Sequence, residues 1–154
     1  MNAGEMVEGE FDRLANDLEL LCREAGQEVT FKVIIESGML ETPEDVYRAS
    51  MLAILSGADF VKTSTGKSAY GATPKSAMVI CNAIKDYYLQ TGINVGIKLA
   101  GGIRTVDDAV LYYTIVENML GCEWLTPSLF RFGASAPLAN ALLSAVTGGT
   151  QSYF

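Results

Sequence analysis

The sequence predicts an α/β fold on a parallel sheet, and within that class the C-terminal half of a (β/α)8 TIM barrel, four parallel strands with flanking helices. Three observations predict it. Short runs rich in β-branched residues recur at roughly 30-residue intervals, the spacing of a βαβ unit. Helix-start signals follow the first three runs, and a glycine closes each of those helices before the next run begins. The residues hardest to explain as structure, two lysines and a set of glycines, fall where the runs end, which is where barrels of this kind keep their chemistry. No GxGxxG follows the first strand, so nothing supports a dinucleotide-binding fold.

The elements follow in order. An opening helix spans about Glu8 to Ala25, with Phe11, Leu14, Leu18 and Leu21 on one apolar face and Gly26 at its end. The first strand is Thr30 to Glu36. Thr42-Pro43-Glu44-Asp45 then supplies a cap, a proline at the first helical position and acids in the first turn, and Gly57 ends that helix. The second strand, Phe60 to Ser64, is followed by the same cap and proline at Thr73-Pro74 and a stop at Gly92. The third, Asn94 to Leu99, leads to Thr105-Val106-Asp107-Asp108, with an acid at the capping-box position, and to Gly121. The fourth strand is Leu129 to Gly133, and Ser135 begins the final helix.

Right-handed crossovers would order these strands in one sheet. A closed barrel needs eight strands and about 250 residues. The 154 residues here hold four strands, and the opening helix reads as though a strand should precede it. Residues 1–154 are therefore expected to be a single partial-barrel domain, with residues 147–154 as a flexible C-terminal tail. Such a sheet would leave strand edges and an apolar interior face uncovered. Self-association, or pairing with a missing N-terminal half, is the expectation.

Composition narrows the function. The chain is 49% apolar, enough for a packed domain. Its net charge of −7 argues against nucleic acid as the main partner, because a phosphate backbone needs a basic surface. With no histidine, the commonest general base and metal ligand is absent. Cys22, Cys81 and Cys122 stand in no pair spacing. They read as reduced thiols in a cytoplasmic chain, with no metal site expected. No secretory leader pattern opens the sequence, no run is long enough to cross a bilayer, and no membrane role is expected.

Lys62 and Lys98 each lie in an apolar strand run, just before a glycine-bearing loop. A lysine in a strand can simply snorkel to solvent at an edge. Period-2 alternation, however, groups Phe60, Lys62 and Ser64 on one face, with Gly96, Lys98 and Ala100, and Lys32, Ile34 and Glu36, as the matching sets. If all three sets point inward, the two lysines are neighbours at the barrel mouth, and each cation disfavours protonation of the other. A lysine so lowered is suited to Schiff-base formation. Glu36 is expected to pair with Lys98 or Lys32, an ion pair that is equally well purely structural. The loops Thr65-Gly66-Lys67, Ala100-Gly101-Gly102 and Gly133-Ala134-Ser135 expose backbone N–H groups to a phosphate, alongside Lys67 and Arg104. Alternatively, Arg104 makes a surface ion pair with an acid such as Asp107.

At FVKTSTGK, VGIKLAGGIR and FRFGAS, with KVIIESG upstream, the chain resembles the deoxyribose-phosphate aldolases. These are class I, metal-independent aldolases on a (β/α)8 barrel. The resemblance runs from about Ala3 to the C-terminus. It implies reversible cleavage of 2-deoxy-D-ribose 5-phosphate to D-glyceraldehyde 3-phosphate and acetaldehyde, in deoxyribonucleotide catabolism, with a small phosphorylated sugar as ligand and no cofactor. By the family pattern Lys62 matches the Schiff-base lysine and Lys98 the second lysine that perturbs it. Gly66, Lys67, Gly101, Gly102, Gly133 and Ser135 match the phosphate-binding positions. Some members end in a tyrosine that reaches the active site, a part open to Tyr153. Ala136 stands where the family often has a second serine. The family's N-terminal half, with a strand carrying a proton-transfer aspartate, would lie before Met1, and Glu36 is the one candidate substitute. The alternative is an inactive half-barrel or assembly fragment that needs a complementary N-terminal half.

Overall fold

The structure, a computed structural model, describes residues 1–26, 28–68 and 70–149. The chain opens with two helices rather than one. Helix α1 (Ala3–Glu8) is capped by the Asn2 side chain and stopped by Gly9 at φ 80°, after which α2 (Phe11–Ala25) runs to Gly26. The expected continuous helix from Glu8 fails there because glycine enters the left-handed region at no steric cost.

Strands β1 (Lys32–Ile34), β2 (Phe60–Lys62), β3 (Gly96–Ala100) and β4 (Phe130–Gly133) form one parallel sheet in the order β1-β2-β3-β4. The β1 ladder is shorter than the seven residues expected from sequence, because Glu36 turns out of the strand at φ 51° and ψ 55°. Helices α3 (Pro43–Leu55), α4 (Pro74–Thr91) and α5 (Val106–Leu120) each begin at the predicted threonine, and all three close a full capping box. Helix α6 (Ala136–Thr147) follows Ser135. The first residue of the expected tail, Thr147, thus belongs to α6; residues 150–154, Tyr153 among them, lie outside the described residues.

The core lies between the sheet and helices α3 to α5. Val33, Ile35, Val61, Ile97 and Leu99 point into it and meet Ala49, Ala53, Ile80 and Ile84. Alanines on the facing surfaces of α3 and α4 let the helices pack closely on β-branched strand residues. Thr63 is fully buried there, with its hydroxyl donating to Ala100 O at 2.9 Å and accepting from Ala100 N at 2.8 Å.

The other face of the sheet corrects one expectation. It was read as an apolar interior, yet Lys62, Lys98 and Arg131 stand in register across β2, β3 and β4, and Lys32 lies opposite Phe60. Period 2 sets these cations there: core-facing Val33, Val61 and Ile97 each have a lysine as chain neighbour on the opposite side. The Phe60 ring lies between two of these cations, Lys32 Nζ and Arg131 Cζ, each 4.6 Å from its centroid. Gly96 leaves the space that the ring fills, since a Cβ there would meet it at 2.4 Å.

Candidate active site

Lys62 ends β2, and Lys98 is its register partner on β3. Neighbouring strands run about 4.8 Å apart, so side chains in register on one face are side by side. Burial lowers the Lys62 pKa from the ordinary lysine value, and the Lys98 cation lowers it further; the Glu36 carboxylate opposes both. Lys32 is also lowered, by burial first and then by Arg131, Lys98 and Lys62. Gly133 makes room for Lys98: a Cβ at that position would stand 3.0 Å from Lys98 Cε and 2.6 Å from Ala100 Cβ.

Beside Lys62 opens a cleft of about 360 Å³. The β2 loop supplies Thr65 and Gly66 to its wall, the β3 loop Gly101, Gly102, Ile103 and Arg104, and the β4 loop Gly133, Ala134 and Ser135. Gly101, at φ 94°, is a close approach as well as a turn, because a Cβ there would meet Gly71 Cα at 2.6 Å. Sequence reading passed over Gly71, whose position before the Thr73 cap was the available signal.

The loops are not equivalent as donors. Gly66 N–H donates to Ser64 Oγ at 3.0 Å, and Lys67 N–H to Thr65 Oγ1 at 3.2 Å. The N–H groups of Gly102, Ile103 and Ala134 have no acceptor among the described residues. The Ser135 hydroxyl is not spent on capping α6. The uncommitted donors therefore lie on the β3 and β4 loops. Of the predicted positions, Lys62, Gly66, Gly101, Gly102, Gly133 and Ser135 come together at the cleft; Lys67 is exposed and outside its wall, and Lys98, beside Lys62 on the next strand, is not part of the wall. Arg104 lines the cleft. Among the described residues its guanidinium has no carboxylate within 4.0 Å, so the pairing with Asp107 does not form. Asp108 instead accepts from the Arg104 and Thr105 N–H groups at 3.0 Å each.

Glu36 is not ion-paired with Lys98 or Lys32 either. Its carboxylate accepts from Ser64 Oγ at 2.5 Å, Ser68 Oγ at 2.7 Å and Thr65 N at 3.1 Å. Partial burial pushes its pKa up, but these three donors outweigh it and hold the carboxyl at about 2. A group so acidic is a weak base near neutrality, which leaves the suggested proton-transfer substitution without a chemical basis. Strand parity had placed Glu36 and Ser64 on one face; nothing in the sequence pointed to Ser68.

Among the described residues no helix is long and apolar enough to cross a membrane, and no three Cys, Asp or Glu side chains converge as metal ligands.

The family model described as DeoC/LacD family aldolase matches residues 12–122. A protein of Caenorhabditis elegans named putative deoxyribose-phosphate aldolase is 48% identical over 130 residues, 84% of this chain and 43% of its own length. The Homo sapiens protein named deoxyribose-phosphate aldolase is 39% identical over 156 residues, 99% of this chain and 49% of its own. The chain thus spans about half the length of the curated relatives it matches. Among solved structures, the apo form of a putative deoxyribose-phosphate aldolase from Toxoplasma gondii ME49 superposes with a TM-score of 0.84 at 24% identity, over 92% of this chain and 55% of that one. That likeness concerns the fold, and it agrees with four parallel strands and flanking helices as half of a (β/α)8 barrel.

Proposed function

The chain belongs to the DeoC/LacD family of aldolases, and on that premise we propose that it carries the Schiff-base site of a deoxyribose-phosphate aldolase. What supports the reading most is the position of Lys62: in register with a second lysine, with a lowered pKa, and open to a cleft with uncommitted backbone donors. The Lys62 amine attacks C1 of open-chain 2-deoxy-D-ribose 5-phosphate, and loss of water leaves an iminium. The C2–C3 bond then breaks, with its electrons drawn into the iminium as an enamine. The C3 hydroxyl gives up its proton to a base, and C3 becomes the aldehyde of D-glyceraldehyde 3-phosphate. Protonation of the enamine and hydrolysis release acetaldehyde and regenerate the amine. Lys98 favours the free amine of Lys62 by charge. The phosphate sits on the Gly102, Ile103 and Ala134 N–H groups and the Ser135 hydroxyl, with Arg104 as the cation in the wall. Gly66 and Gly101 shape the cleft. Lys67 steers the anion from outside the wall, and Tyr153 is the candidate tail contact. The setting that fits is cytoplasmic sugar-phosphate catabolism.

The test is reductive trapping. Borohydride with acetaldehyde should modify Lys62, and Lys62→Ala should lower labelling to background, read by peptide mass mapping. Equal labelling of the variant overturns the reading.

A second reading is favoured by the sheet edges. Among the described strands β1 and β4 each pair on one side only, and each runs along a groove, of about 310 Å³ beside Leu18, Leu21 and Phe31 and of about 400 Å³ beside Phe132, Leu138 and Leu142. A complementary half-barrel would cover both. Self-association through the same edges would bring two basic faces together, at a Coulombic cost. Turnover should therefore be low for the chain alone and rise when a family N-terminal half is supplied. Full turnover of the chain alone would refute the need for a partner.

A further inference from the structure

We infer that Glu36 is a positioning residue: it holds the Thr65–Gly66 wall of the cleft in place beside Lys62 without touching the reacting atoms. The inference rests on the aldolase reading of the cleft. The backbone motivates it first. Glu36 has φ 51°, and no other non-glycine residue among the described residues has positive φ. Glutamate is seldom found there, and such a conformation persists where surrounding contacts over-determine it. The contacts are present. One carboxylate collects Ser64 Oγ, Thr65 N and Ser68 Oγ, so the end of β1 grips the loop that follows Lys62 at three points. Ser64 Oγ passes the grip on by accepting the Gly66 N–H at 3.0 Å.

The chain of contacts runs Glu36, Ser64, Gly66, and Thr65 and Gly66 are the cleft wall on the lysine side. The ionised carboxylate serves all three donors, the two serine hydroxyls on Oε1 and the Thr65 N–H on Oε2. A neutral amide has one acceptor oxygen and would turn its NH2 toward donors. The amide oxygen can still accept from both serine hydroxyls, but its NH2 then faces the Thr65 N–H, so the substitution frees the wall at its backbone contact. The wall bounds the phosphate cleft, whereas the amine belongs to β2, so the two properties separate. Positioning predicts a defect in selecting the phosphorylated aldehyde, with aldehyde capture itself preserved.

The experiment compares borohydride trapping at Lys62 with 2-deoxy-D-ribose 5-phosphate and with acetaldehyde, in the wild type and in Glu36→Gln. The ratio of half-saturating concentrations is the readout. Loss of charge-assisted hydrogen bonds should lower the preference for the phosphorylated aldehyde by about tenfold, with acetaldehyde trapping unchanged. An equal fall with both aldehydes marks a merely structural residue and overturns the inference, as does an unchanged ratio. If Glu36→Gln does not fold, Ser68→Ala, which removes one donor from the loop side, decides in its place: a smaller loss of preference supports the inference and an unchanged ratio overturns it. A wild type that traps acetaldehyde but shows no phosphate preference would instead count against the phosphate cleft of the aldolase reading. A wild-type preference that survives the substitution counts against Glu36 alone.

Discussion

On the helix-covered side of the sheet, Val33, Val61 and Ile97 are at most 2% exposed. Their chain neighbours Lys32, Lys62 and Lys98 are partly exposed on the opposite side. Three short strands thus hold both a dry core and a row of cations, one residue apart. The core side is covered by α3, α4 and α5, where a lysine would be unaffordable without a partner. On the lysine side no helix lies over the sheet among the described elements, and the ammonium groups keep some water while they crowd each other. On the proposed reading, stability and reactivity belong to alternate residues of the same strand, and each should be separable from the other by mutation.

Ile97→Ala is the sharpest way to break that separation, because Ile97 is fully buried and directly precedes Lys98. Emptying its place should cost roughly 2–5 kcal/mol of stability, read by urea denaturation. The folded fraction should still be trapped at Lys62 with the wild-type dependence on aldehyde concentration. A changed dependence in that fraction would mean that the two faces are coupled through the backbone, and that the alternation is not a clean division of labour.

The division was legible from sequence where it depends on period. The β-branched runs marked the strands, parity set Lys62 beside Lys98, and Thr42, Thr73 and Thr105 marked the helix starts. These signals are local, and burial on one side enforces them. What depends on a loop folding back was not legible. The break at Gly9 fell inside a helix expected to run on from Glu8. Glu36 looked like a partner for a lysine, because the two serines that satisfy it lie 28 and 32 residues away in the chain. The Gly66 N–H, read from sequence as exposed by its loop, donates to Ser64 Oγ once that loop closes. The apolar-interior expectation failed for a different reason: it generalised from barrels as a class and set aside the parity that had already placed the lysines there.

A smaller effect sharpens the comparison from the lysine side alone. Lys98→Met keeps the aliphatic stem and removes the charge. Burial is the larger cause of the lowered Lys62 pKa and would remain, while the Lys98 contribution would vanish. The pH at which Lys62 is half-reactive toward acetaldehyde should therefore move up, yet stay below that of an ordinary lysine. Stability gives a second reading of the same charge effect. A lysine whose folded pKa is depressed binds its proton more weakly in the native state than in the unfolded one. Stability therefore rises as pH climbs from the folded value toward 10.5, the ordinary value. That rise should be shallower in Lys98→Met, because the two Lys62 values lie closer together. An unchanged trapping profile would mean that burial alone tunes Lys62, and that the row of cations is a by-product of strand parity rather than part of the chemistry.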